Sequence, residues 1–155
     1  MSEKDYEHKV ISQNKKAYHD YFVLEKYEAG ISLSGTEIKS IRNGRVNLKD
    51  SYCEINKLEI FVVGMHISPY EKGNIFNKDP YRERKLLMHK KEILKLYQKA
   101  GQQGCTIVPL SIYFKGKLVK IEIGLCKGKK MYDKRETEIK KQEERDIERY
   151  EKNKD

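Results

Sequence analysis

Three clusters along the chain mix cations with hydrogen-bonding or aromatic groups, a combination suited to gripping a polyanion. The first is Thr36-Glu37-Ile38-Lys39-Ser40-Ile41-Arg42-Asn43-Gly44-Arg45-Val46-Asn47. Read as a short helix, it turns Ile38 and Ile41 inward. Lys39 and Arg42 then face outward, three apart, with Arg45 just past a Gly44 cap. Thr36, Glu37, Lys39, Arg42, Arg45 and Asn47 become candidate RNA contacts, although for this motif alone a solvated helix face is the simpler explanation. The second cluster, Arg82-Glu83-Arg84-Lys85, falls in the first turns of a helix expected to start at Asp79-Pro80. Cations there oppose the helix dipole. A partner anion would offset that small cost, though amphipathic surfaces also tolerate it; Lys85 is the candidate contact. The third, Lys127-Gly128-Lys129-Lys130-Met131-Tyr132-Asp133-Lys134-Arg135, sets five cations around one tyrosine. Such a tyrosine can stack on an exposed base while its neighbours hold phosphates. A generic basic tail has the same composition, and the residues alone do not choose.

No comparable constellation serves catalysis. The four histidines, His8, His19, His66 and His89, have no metal-like spacing with one another or with the cysteines. The chain has no GxSxG, no HExxH and no glycine-rich phosphate loop ending in Lys-Ser/Thr. His89, inside the helix expected over Asp79–Gly101, reads as a surface or half-buried histidine. Cys53, Cys105 and Cys126 stand singly beside apolar runs, which suits small buried hydrophobes in a reducing compartment better than disulfides or a zinc site. The expectation is a chain with no enzymatic activity, no metal and no cofactor.

The elements that must position these clusters are mostly strands. Tyr21 to Leu33 reads as a strand with a bulge or bend at Gly30. Ser51–Asn56 and Leu58–Val63 form a hairpin around Asn56-Lys57. Ile107–Phe114 and Leu118–Leu125 flank the turn Lys115-Gly116-Lys117. In the last strand Val119, Ile121, Ile123 and Leu125 alternate with Lys120, Glu122 and Gly124, so Lys120 points outward. One helix covers Thr36–Asn43. The other runs from Asp79 to Gly101 with Leu86, Leu87, Ile93, Leu94, Leu96 and Tyr97 on its apolar stripe. Five or six antiparallel strands with inserted helices predict a mainly β protein, a closed barrel of the OB type.

Composition divides the 155 residues unevenly. Lys and Arg number 33 against 24 Asp and Glu, a net charge of +9 that suits a nucleic acid and also serves solubility. The last 29 positions, 127–155, carry eleven basic and nine acidic residues with few bulky apolar ones. They cannot offset their own ordering entropy and are expected to be disordered when free. The predicted organisation is a flexible N-terminal arm over 1–17, a body over 18–126 and a charged tail over 127–155. No run approaches the roughly 20 apolar residues of a membrane span, and the start MSEKDYEHK has no signal-peptide core, so a cytoplasmic location is expected.

The order of short motifs is itself informative. Asn14-Lys15-Lys16-Ala17, His19-Asp20-Tyr21-Phe22 and Glu28-Ala29-Gly30 are followed by Gly35-Thr36-Glu37-Ile38-Lys39-Ser40-Ile41-Arg42 and Asp50-Ser51-Tyr52. Asp79-Pro80, Arg82, Arg84-Lys85-Leu86-Leu87, Gly128-Lys129-Lys130 and Asp133-Lys134-Arg135 complete the series. From Ser12 to about Arg135 the chain resembles the bacterial SsrA-binding protein (small protein B) family. The resemblance implies an OB-like barrel that holds the tRNA-like domain of transfer-messenger RNA. It also implies a tail that becomes helical in the decoding centre and empty messenger channel of a stalled ribosome, during trans-translation. By position it assigns Glu28, Leu87 and Lys120 to RNA binding, with Asn14 and Lys15 in a matching motif. Lys127, Lys129, Lys130, Tyr132, Asp133, Lys134 and Arg135 fall in the decoding tail, Tyr132 where the family carries a stacking aromatic or histidine. The helix stripe would instead bury Leu87. Of two rivals, a single-strand-coating RNA chaperone would need several exposed aromatics on one sheet face, whereas here they mostly sit at core parity or in the arms; a structural ribosomal protein shares the charge balance and is separated only by the motif series.

Overall fold

Alternating side chains dominate the computed structural model, which describes residues 8–72 and 74–129. The strands are β1 (His8–Gln13), β2 (Tyr21–Ile31), β3 (Val46–Asn47), β4 (Tyr52–Asn56), β5 (Glu59–Val63), β6 (His66–Ile67), β7 (Arg84–Leu87), β8 (Thr106–Lys115) and β9 (Leu118–Gly128). Among the described residues three α-helices are inserted, α1 (Lys15–Asp20), α2 (Gly35–Arg42) and α3 (Lys90–Gln103). Antiparallel pairing runs β8-β4-β5-β7-β2-β9 and returns to β8, so six strands close a barrel. The expected closed barrel with inserted helices is therefore observed. β1 adds to the free part of β8, and β3–β6 form a separate two-stranded ribbon.

Inward-facing Ile60, Val62, Leu86, Ile112, Ile121 and Ile123 fill the barrel, and α2 and α3 add Ile41, Ile93 and Leu96 to the same core. Each such side chain contributes about 1.5–3 kcal/mol on burial. A smaller cluster lies around Ala17 of α1, Val108 and Leu110 of β8, and Cys126 of β9. Both hairpins form, the first turning at Lys57-Leu58, one residue beyond the expected Asn56-Lys57. Lys57 and Leu58 take φ of 52° and 59° between Asn56 and Glu59, and Gly116 takes 64° between Lys115 and Leu118.

The structure corrects five expectations. No helix starts at Asp79-Pro80: the Asp79 carboxylate accepts from the Tyr81 N–H at 2.8 Å and makes a turn, after which residues 84–87 form β7. Helix α3 begins only at Lys90, behind His89, and ends at Gly104 rather than Gly101. The arm expected over 1–17 does not hold for residues 8–17, because β1 pairs with β8 and α1 seats Ala17. The bulge in β2 lies between Val23 and Glu25, not at Gly30. At its far end β9 continues to Gly128, opposite Tyr21, beyond the expected boundary at 126. Most of the expected tail lies outside the described residues.

Candidate nucleic-acid interface

The rung through Gly30 sets the first site. Gly30 of β2 stands opposite Leu87 on β7 and Lys120 on β9. Strand parity buries Leu86 and Ile121 and turns Leu87 and Lys120 outward. Leu87 is 55% exposed, which corrects its place on a helix stripe. A Cβ at residue 30 would meet the Leu87 Cβ at 3.2 Å, so glycine is what lets Leu87 lie across its neighbour. Glu28, two positions along β2, faces the same way. Its carboxylate accepts from the Tyr113 hydroxyl and, at 3.3 Å, from the Lys115 ammonium. The Tyr113 hydrogen bond, then Lys115, holds this carboxyl below its ordinary range. Burial first, then Glu28, pushes the Tyr113 phenol up.

Glu28, Gly30, Leu87, Lys120, Lys85 and His89 line one cleft of about 500 Å³. It offers an apolar floor in Leu87, a fixed anionic acceptor in Glu28 and cations in Lys120 and Lys85. Lys85 also pairs with Glu59 at 2.7 Å. Such a set accepts ribose hydroxyls or base amines at the carboxylate while the ammoniums hold phosphate. Sequence reasoning missed Tyr113 and Lys115. Their signal lay in the hairpin turn, which pairs Lys115 with Leu118 and hence Tyr113 with Lys120.

The candidates on α2 separate into two kinds. Ser34 caps the helix and Glu37 completes a capping box, its Oε1 accepting from the Ser34 N–H at 2.9 Å. The Glu37 carboxylate also accepts from Arg84 Nε at 2.6 Å and from Arg82 Nε at 3.1 Å. Burial would raise this carboxyl, but Arg82, the Ser34 backbone and Arg84 hold it down at about 2. Glu37 is 4% exposed: it stabilises the fold and is not a surface contact. Lys39, Arg42 and Arg45 are exposed as expected. Lys39 lies 5.4 Å from the Tyr70 ring centre, Arg42 lies 5.8 Å from that of Phe114, and Arg45 lies 3.7 Å from Glu71. Thr36 Oγ1 donates to the Phe76 carbonyl at 3.2 Å, and Asn47 Oδ1 accepts from the Lys49 N–H at 2.8 Å.

Asn14 is likewise structural. It is buried, donates from Nδ2 to the carbonyls of Leu48 at 3.1 Å and Pro109 at 2.9 Å, and caps α1 by accepting from the Ala17 N–H at 3.1 Å. Lys15 beside it is exposed, and neither residue lines the cleft. At the end of β9, Lys127 stands opposite Phe22, and Lys129 donates to the Tyr18 carbonyl at 3.1 Å over the Phe22 ring. Lys130, Tyr132, Asp133, Lys134 and Arg135 lie outside the described residues. Among the described residues no group of three or more His, Cys, Asp or Glu is placed to hold a metal ion, and no helix is long and apolar enough to cross a membrane.

A family model described as SmpB protein matches residues 11–153. The chain belongs to the SmpB family. Among its relatives, the SsrA-binding protein of Carboxydothermus hydrogenoformans is 60% identical over 91% of this chain and 95% of its own length. That of Clostridium novyi is 56% identical over 96% of this chain and 95% of its own. A solved chain from "tmRNA-SmpB: a journey to the center of the bacterial ribosome" is 47% identical, with a TM-score of 0.65 over 76% of this chain and 83% of that one. Family and fold thus agree with what the motif series implied.

Proposed function

We propose that this chain binds the tRNA-like domain of transfer-messenger RNA and delivers it to stalled ribosomes in the cytoplasm for trans-translation. It acts by binding and not as an enzyme, which is what membership of the SmpB family and the names of its relatives support. One observation carries the placement of the RNA: Glu28, Leu87 and Lys120, distant in sequence, line a single cleft. In this reading the barrel wall grips the RNA and Lys15, Lys39, Arg42 and Arg45 add contacts outside the cleft. The tail, with Lys130, Tyr132, Asp133, Lys134 and Arg135, probes the decoding centre and the empty messenger channel.

The test is equilibrium binding of the full chain to transfer-messenger RNA and to an unrelated structured RNA across a salt series. Strong preference for the first is expected. Lys120→Ala should weaken binding and reduce the salt slope by about one; equal affinity for both RNAs would overturn the reading. Truncation after Lys129 should spare that binding and abolish tagging on stalled ribosomes.

A further inference from the structure

The loop between β6 and β7 presents a second surface that shares no residue with the cleft. Ile75 is 88% exposed and Phe76 72%, and Tyr81 is exposed beside His66, ring centres 4.7 Å apart. The backbone carrying them is tied down. Asn77 accepts from the Tyr70 N–H and donates to the Tyr70 carbonyl, both at 2.8 Å. Thr36 holds the Phe76 carbonyl, Asp79 holds the Tyr81 N–H, and Ser40 Oγ donates to the Ser68 carbonyl at 2.6 Å. Exposed apolar side chains on a backbone already held in place cost less ordering when something covers them, which is how a preorganised contact saves binding energy.

The charge around the loop says what that something is. Lys39 lies against the Tyr70 ring, Arg45 lies beside Glu71, and Lys72 and Lys78 are exposed on the loop itself. Against these four cations stand three carboxylates, Glu71 beside Arg45, Asp79 accepting from the Tyr81 N–H, and exposed Glu83 at the far end of the loop, which leaves one cation in excess. Exposed rings among these cations match a strand of nucleic acid, whose bases stack on the rings while its phosphates meet the cations. An apolar protein face would leave those cations desolvated and unpaired.

We propose that this loop stacks an unpaired nucleobase of a bound RNA on Phe76, with the flanking phosphates on Lys39 and Arg45. The proposal rests on the chain being an RNA-binding protein and adds a point of contact separate from the cleft.

A short fluorescent oligoadenylate tests it against an abasic ribose-phosphate strand of the same length, both titrated with the full chain. The oligoadenylate should bind about tenfold more tightly. Phe76→Ala should remove that difference with the melting temperature unchanged, and Phe76→Trp should keep it. Lys120→Ala should leave the difference intact while weakening binding to transfer-messenger RNA. Equal binding of the two strands by the parent chain, or parental oligoadenylate affinity in Phe76→Ala, overturns the proposal. A loss of stability in Phe76→Ala would also overturn it, since the ring would then serve the fold. If the parent shows no preference for transfer-messenger RNA, the cleft assignment fails while the oligoadenylate comparison still decides this surface.

Discussion

Glu37 and Glu28 are both ionised carboxylates fixed by neighbours, yet they do different work. Glu37 neutralises Arg84, which is itself fully buried. Replacing it with Gln leaves that guanidinium without a counter-charge, a change that costs about 3–5 kcal/mol; urea denaturation of Glu37→Gln checks it. The same pair shapes acid stability. Glu37 titrates at about 2 in the fold against an ordinary 4.5, so the folded state prefers the ionised form. Its contribution, about 3 kcal/mol by linkage, is complete above the ordinary value and is lost as pH falls towards 2. An acid titration should show that segment of lost stability in the parent chain and not in Glu37→Gln. Glu28 is different because its partner Tyr113 reaches it from β8, across the intervening β9. Tyr113→Phe should let the Glu28 carboxyl titrate at a higher pH, read by carbon-detected NMR, and weaken RNA binding several-fold with the fold preserved.

At the scale of elements, two glycines bracket what the barrel tolerates. A Cβ at Gly124 would lie 2.7 Å from Leu110 Cδ1 in the second core cluster, so Gly124→Ala should cost about 1–3 kcal/mol by overpacking. Gly30→Val should act on the cleft instead, displacing Leu87 and lowering RNA affinity more than melting temperature. The sequence also shows unequal legibility at this scale. The β8–β9 hairpin was readable because Val119, Ile121 and Ile123 alternate cleanly over a glycine turn. β7 was not, because its buried positions are Arg84 and Leu86. A binary pattern places an arginine outside, and the carboxylate that lets Arg84 go inside lies 47 residues earlier. With Arg84 misplaced, Leu86 and Leu87 merged into the stripe of α3. β1 was missed because Val10 remains exposed on a strand that merely extends β8. The candidate site was legible only in part: motif resemblance pointed to Glu28, Leu87 and Lys120, and strand parity agreed for Lys120 alone. Asn14 and Glu37 belong to matching motifs for the sake of the fold.

Six of the described strands form a closed barrel whose ends reach further than composition suggests. Tyr21 and Phe22 pair with Gly128 and Lys127, so the body extends beyond the compositional break after Cys126. Chains cut after Lys129 should keep the parent melting temperature, whereas chains cut after Cys126 should melt lower, measured side by side by circular dichroism. The same pairing has a consequence for how the protein is made. β9 joins β2 to β8 and is the last of the described strands to leave the ribosome. Until it emerges, β2 and β8 each hold an open edge, and Ile121, Ile123 and Leu125 are missing from the core. Closure is therefore a late, long-range event in a nascent chain. A message broken before the codons of β9 yields an unclosed product that exposes strand edges and is poorly protected from proteolysis.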